Sequence, residues 1–269
     1  MSAIKNESTD ELLRQILPSL AVQIRIPLGN MYSTLQRLLR RYPATGEELA
    51  PFYQSYYRML RLAGNLSDAQ ELTSEEPLPL ANEDIVAFVH QICLQAETPA
   101  ELCGQRIIFQ SSKSAHIMAF HPSSIERLLL NLLSNSMKFS GKGCLITVSV
   151  TVRRDTVELT VEDTGPGLDP AVPLFTPYLP PGPRDSSPRG LGLGLLLCRR
   201  AALGHGGNLL VSSLPNVGTK VTVSLPNVRA SHSLLRDSVL DYAGGFNHTL
   251  VELSDALPAA AFLPPQLDH

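Results

Sequence analysis

A chain of 269 residues with 43% apolar content is long enough for one large domain or two modest ones, each with a real core. The formal charge of −3 excludes a strongly basic nucleic-acid binder, and the arginine pairs at 40/41, 153/154 and 199/200 read as solvated faces. No apolar stretch approaches a membrane span, and the N-terminus intersperses Asp, Glu and Lys unlike a signal peptide, so a cytoplasmic location is expected. Cys93, Cys103, Cys144 and Cys198 have neither metal-ligand nor redox spacing and read as reduced thiols.

Residues 8–74 form the first predicted unit, two helices around a break at Tyr42-Pro43-Ala44-Thr45-Gly46. Leu13, Leu17, Leu20 and Ile24, then Leu28, Met31, Leu35 and Leu38, step by threes and fours, as do Phe52, Tyr56, Met59, Ala63 and Leu66 in the second helix. This is the period of a coiled-coil or bundle seam, and a hairpin with one such seam pairs with another to close a four-helix bundle. With Leu20 and Ile24 facing the core, Val22 points the other way and Ile26 stacks on it one turn later. These two side chains form a docking patch, unless Pro27 rotates the helix and buries them.

The Ser, Glu and Pro content around residues 75–82 predicts a linker. Asn82 or Glu83 opens a helix through Ala96, followed by strands over Arg106–Gln110 and Ala115–Phe120. Ser124–Ser140 is predicted as a helix with a broad leucine face, capped by Ser123 or Ser124 behind Pro122. Its polar side carries Asn131 and Asn135, four apart, with Lys138 one turn further: two amides and an ammonium in a row that can hold a hydrated metal and a phosphate chain. Strands follow at Leu145–Arg153 and Thr156–Glu162.

The second strand ends in Asp163-Thr164-Gly165-Pro166-Gly167-Leu168. A carboxylate can accept from an exocyclic amine, and Gly165 and Gly167 permit the close approach of a flat base. Thr176–Pro188, rich in Pro and Ser, holds no regular structure. Gly190, Gly192 and Gly194 then run straight into a helix over Leu193–Leu203, offering unpaired N–H groups to an anion. Strands at Asn208–Ser213 and Thr219–Leu225 complete a two-layer α/β sandwich. Residues 227–269 contain an alternating Thr249–Leu253, then Asp255 as a possible cap before Ala256–Phe262: either a strand and short helix docked on the sandwich domain, or an interaction tail.

Asn131-x-x-x-Asn135-x-x-Lys138-Phe139, the Asp163 box, the Gly190–Leu195 box, His205-Gly206-Gly207 and Gly218-Thr219, in this order, resemble the ATP-binding domain of bacterial sensor histidine kinases. That domain is shared with type II topoisomerases, the ninety-kilodalton heat-shock chaperones and mismatch-repair ATPases. The resemblance implies an α+β chain: an N-terminal helical hairpin forming a four-helix bundle on dimerisation, then a two-layer α/β sandwich of the GHKL ATPase (Bergerat) type over 83–226; residues 227–269 lie beyond it, an extension of unknown role. It implies ATP and Mg²⁺ as ligands. Asp163 would take the adenine amine, with Gly165 and Gly167 beside it. Asn135 would hold Mg²⁺ with Asn131 next to it, and Lys138 would offset phosphate charge. Gly190, Gly192, Gly194, Leu195 and Thr219 would complete the nucleotide site, and Thr176–Pro188 would be the lid, with Arg184 or Arg189 reaching the γ-phosphate. His205 falls in a family turn.

Arg25-Ile26-Pro27-Leu28 resembles the family's acceptor motif, but the positions of the phosphorylated histidine, the adjoining acid and the residue one turn on are Val22, Gln23 and Ile26. A valine cannot accept a phosphoryl group and a glutamine cannot act as general base. The resemblance therefore implies no self-phosphorylation. One reading is a kinase acting in trans on the histidine of a heterodimer partner. Another is a catalytically silent regulator that binds ATP and works by homodimer or heterodimer formation with a histidine kinase. A third is a serine-directed kinase resembling anti-sigma factors, which lack this hairpin. A response regulator is a further partner the family implies; nucleic acid is not.

Overall fold

The computed structural model describes residues 2–42, 44–71, 78–168, 174–175, 193–231 and 246–263, with side chains described from Ser19 onward and omitting those of 68–71. The chain divides into two compact units, one of residues 1–76, 242–251 and 259–269, the other of 77–241 and 252–258.

In the first unit, α1 (Ser2–Arg41) and α2 (Gly46–Glu71) form a hairpin. The turn is closed by a reciprocal cap. Thr45 donates its N–H and hydroxyl to Glu48 Oε2 at 2.9 and 3.0 Å, and Glu48 N–H returns to Thr45 Oγ1 at 3.3 Å. Ala21, Leu28, Ala50, Tyr53, Tyr56, Tyr57 and Ala63 are buried in the unit. Of the expected seam, Leu28, Tyr56 and Ala63 are buried, whereas Leu20 is 41% exposed and its neighbour Ala21 is buried in its place. Ala21, Ala50 and Ala63 are buried, while the larger side chains Leu20, Met31, Leu38, Met59 and Leu62 are exposed. Val22 and Ile26 are 56% and 61% exposed, and α1 runs through Pro27 as one helix, so that proline does not turn them into the core.

An aromatic cluster forms the other side of this unit. Phe246 lies edge-on to Tyr32 at 4.8 Å between centroids and 5.3 Å from Tyr56, while Phe262 lies 5.2 Å from Tyr57. The helical residues bringing these rings in correct the strand expected at Thr249–Leu253. Asn247 Oδ1 accepts from Leu250 N–H at 3.0 Å, an N-cap that starts α6 (His248–Leu253). The short helix expected from Ala256 is confined to one 3-10 turn, Ala259–Phe262.

The second unit is a mixed sheet covered by helices. β2 (Arg106–Ser111), β4 (Leu145–Val152), β5 (Thr156–Asp163), β7 (Gly218–Pro226) and β6 (Asn208–Leu214) lie in that order, β2 parallel to β4 and the rest antiparallel. Alternation sorts the faces. Ile146, Val148 and Val150 of β4, Val157, Leu159 and Val161 of β5, and Val221, Val223 and Leu225 of β7 are buried. On β5 and β7 the opposite register pairs Glu162 with Lys220, whose charged ends lie 3.0 Å apart.

The helices α3 (Ile85–Leu102), α4 (Pro122–Phe139) and α5 (Gly194–Gly204) pack against the sheet. Two boundaries differ from expectation. Residues 81–84 form β1, paired antiparallel with β3 (Ile117–Phe120), and α3 starts after Asp84, whose carboxylate accepts from Val86 and Ala87 N–H. The α4 cap position is His121, without a side-chain bond, because Pro122 occupies the first helical position, where its missing N–H has no intrahelical partner to lose. Among the described residues no helix is long and apolar enough to cross a membrane.

Candidate nucleotide site

Asp163 ends β5 with only 8% of its surface exposed. Its Oδ1 accepts from Gly165 N–H at 3.0 Å and Thr219 N–H at 3.4 Å, and its Oδ2 accepts from the Ser136 hydroxyl at 3.1 Å. The box therefore folds back on its own carboxylate. The loop beyond it is tied to the β6–β7 turn: Leu168 N–H donates to Ser213 Oγ at 2.8 Å and Asn216 N–H to Pro166 O at 2.8 Å. Ser213 Oγ also lies 3.1 Å from Thr219 Oγ1. Gly165 permits a close approach, since a Cβ there would meet Ser140 Cα at 2.7 Å and Asp163 Oδ1 at 2.9 Å.

The second half of the site is the contact of α4 with the start of α5. Asn131 is 2% exposed, and its Nδ2 donates to Arg127 O at 3.0 Å, which turns Oδ1 toward Gly194. A Cβ on Gly194 would lie 3.3 Å from Asn131 Oδ1 and 3.7 Å from Asn135 Nδ2. The absent side chain leaves a cradle between two amides and a helix N-terminus. Leu193 caps α5 without a side-chain bond among the described residues, and the N–H groups of a helix's first turn, here including that of Leu195, have no intrahelical partner. Lys138 lies on the same helix with its Nζ 5.4 Å from the centre of the Phe139 ring.

The structure thus brings Asn131, Asn135 and Gly194 together, and separately joins α4 to Asp163, Gly165 and Thr219 through Ser136. Gly167 has φ +77°, a left-handed conformation that favours glycine. Gly190, Gly192, Arg184, Arg189 and the segment Thr176–Pro188 lie outside the described residues. Sequence spacing assigned no role to three residues at the end of α4. Ser136 bonds the carboxylate. Ser140, buried with its hydroxyl unpartnered among the described atoms, abuts Gly165. Phe139 is 54% exposed, a flat ring beside Lys138. The usable signal was the interval of four, since 136 and 140 share one helix face.

His205 is structural. Its Nε2 accepts from His121 N–H at 2.9 Å and its Nδ1 lies 2.7 Å from Ala201 O, so the proton sits on Nδ1 and both nitrogens are engaged. Burial pushes its pKa below the usual imidazole range, the Ala201 bond opposes that shift, and the His121 charge adds to it.

Residues 121–229 match the family of histidine kinase-, DNA gyrase B- and HSP90-like ATPases. The histidine protein kinase DivJ of Caulobacter vibrioides is 38% identical over 105 residues, 38% of this chain and 18% of DivJ. The sensor protein IrlS of Burkholderia pseudomallei is 28% identical over 224 residues, 80% of this chain and 47% of IrlS. The chain spans less than half the length of either relative. Full-length ShkA, solved in complex with AMPPNP, shares the fold with a TM-score of 0.66 at 23% identity, over 82% of this chain and 47% of ShkA. Residues 121–229 are a histidine kinase-, DNA gyrase B- and HSP90-like ATPase domain, and the chain that carries it is a homologue of the sensor histidine kinases.

Proposed function

We propose that the chain binds ATP with Mg²⁺ between α4 and the start of α5 and serves two-component signal transduction as a histidine-kinase-type protein that phosphorylates in trans. The observation that carries this reading is the cradle at Gly194, where Asn131 Oδ1 lies 3.3 Å from the position a Cβ would fill. Asp163 accepts from the adenine amine, Gly165 and Gly167 admit the base, and Thr219 supports the carboxylate through its N–H. Asn135 supplies an amide oxygen to Mg²⁺ with Asn131 beside it, a donor set suited to a cation that keeps most of its waters and takes its remaining ligands from phosphates. When bound, Mg²⁺ neutralises charge on the phosphates. Lys138 does the same from the protein side. The amide of Asn131, held through its Nδ2 by the Arg127 carbonyl, is too weak a base to activate water. A phosphoryl group is therefore spared hydrolysis and kept for transfer.

Val22 at the acceptor position excludes the chain's own hairpin as the phosphoryl acceptor. The exposed row Leu20, Met31, Leu38, Met59 and Leu62 supports pairing with a second hairpin, from another copy or from a histidine kinase that supplies the acceptor. A response regulator then receives the group from that partner. The test is incubation with γ-labelled ATP and Mg²⁺, alone and with partner kinases whose own ATP sites are disabled. Acid-labile label on the partner, abolished by Asn135→Ala, supports transfer in trans. The exposed apolar pair Val22 and Ile26 favours a second reading, a regulatory partner that binds ATP without turnover. Tight nucleotide binding with no label moving to any partner selects it.

A further inference from the structure

Ser136 follows Asn135 on α4, is 7% exposed, and donates to Asp163 Oδ2 at 3.1 Å. Gly165 N–H and Thr219 N–H hold the other oxygen at 3.0 and 3.4 Å. An ionised carboxylate offers about four acceptor positions. These donors occupy all but one, and the one left is on Oδ2, beside the Ser136 hydroxyl.

Resting on the nucleotide-site reading above, we infer that Ser136 is a positioning residue that sets base specificity by fixing the Asp163 carboxylate so that its last acceptor position faces the purine 6-position. A 6-aminopurine brings a donor to that position and is accepted. A 6-oxopurine brings a carbonyl oxygen against the carboxylate oxygen and is turned away, since a site built to pair with an amine rejects an analogue that leaves it unpaired. The terminal torsion of an aspartate is broad, and a donor on Oδ2 as well as on Oδ1 narrows it. The backbone N–H groups secure Oδ1, and Ser136 alone among the described donors secures Oδ2. Ser136 also sits next to Asn135, so the helix that holds the phosphate side of the site sets the register of the base side.

Titration calorimetry of the full chain with Mg-ATP and Mg-ITP tests this, because the two nucleotides differ in the base alone. The wild-type chain is expected to favour ATP about a hundredfold, the loss of one hydrogen bond to a charged group. Ser136→Ala lowers that ratio about tenfold, Ser136→Thr, which keeps the hydroxyl, holds it within about twofold of the wild type, and Asn135→Ala weakens both nucleotides alike. If Ser136→Ala does not fold, Ser136→Cys keeps the volume, weakens the donor and lowers the ratio in the same direction. An unchanged ATP-to-ITP ratio in whichever of these two variants folds overturns the inference and assigns Ser136 to packing. Failure of the wild-type chain to bind ATP is a different outcome: it overturns the nucleotide-site reading itself.

Discussion

Replacing Gly165 with alanine puts a methyl carbon where the structure has no space for it. The new Cβ would lie 2.7 Å from Ser140 Cα, 2.9 Å from Ser140 Cβ and 2.9 Å from Asp163 Oδ1. Carbon atoms pack comfortably at about 3.5–4.0 Å, so one side must retreat by roughly 1 Å. The Asp163 side chain can yield only by giving up bonds to Gly165, Thr219 or Ser136. Ser140 is held as well, because its N–H closes the last turn of α4 on Ser136 O at 2.9 Å. Overpacking of this kind costs about 1–3 kcal/mol, and with both neighbours anchored the upper half of that range is expected. The torsion itself adds no cost, since φ at Gly165 is not positive. Gly29 is the internal control: it lies within α1, and a Cβ added there would meet nothing inside 4 Å. Alanine there should stabilise by about 0.5–1 kcal/mol through helix propensity. Urea unfolding of both variants, with ATP titration of each, reads the difference. Gly165→Ala with a wild-type midpoint and wild-type ATP affinity would refute the packing of the box against α4.

Other consequences are open to direct measurement. The neutral His205 ring is favoured by folding, so its contribution is fully present above the ordinary imidazole value of 6.5 and is lost as pH falls through the lowered folded pKa. Urea midpoints should therefore drop below about pH 6.5 in the wild type, and less steeply in His205→Gln; equal slopes would contradict the burial of this ring. Asp84 caps α3 and also accepts from His116 N–H at 3.0 Å. Burial raises its pKa, but the His116, Ala87 and Val86 N–H bonds outweigh that and lower it overall. Asp84→Ala should cost about 1–2 kcal/mol near neutrality, and the difference should vanish as acid titrates the wild-type carboxylate. Phe262 is fully buried against Tyr57, so Phe262→Ala should destabilise the hairpin unit by about 3–5 kcal/mol, read by near-ultraviolet circular dichroism of the tyrosines. If the hairpins pair as proposed, Met31→Lys with Leu38→Lys should abolish that association in sedimentation while leaving helix content intact, because both side chains are exposed on a single chain.

The features legible from residues alone were those governed by local period and local chemistry. Alternation placed β4, β5 and β7, leucine spacing placed α4, and the order of the Asn, Asp-Gly and Gly boxes identified the ATPase fold. That Val22 stands at the acceptor position is a reading of the sequence resemblance alone. What sequence spacing could not supply was phase and partnership. In the hairpin seam Leu28, Tyr56 and Ala63 lie buried where the period put them, but Ala21 is covered in place of Leu20 and Met59 is exposed. Thr249–Leu253 alternates like a strand but is a helix, because Asn247 caps it and Phe246 and Phe262 find partners among the hairpin tyrosines. Ser136 looked like one more polar residue on a helix until β5 brought Asp163 within 3.1 Å of it. Periodicity reports which residues share a face of one element; only the packing of elements against each other determines what that face meets.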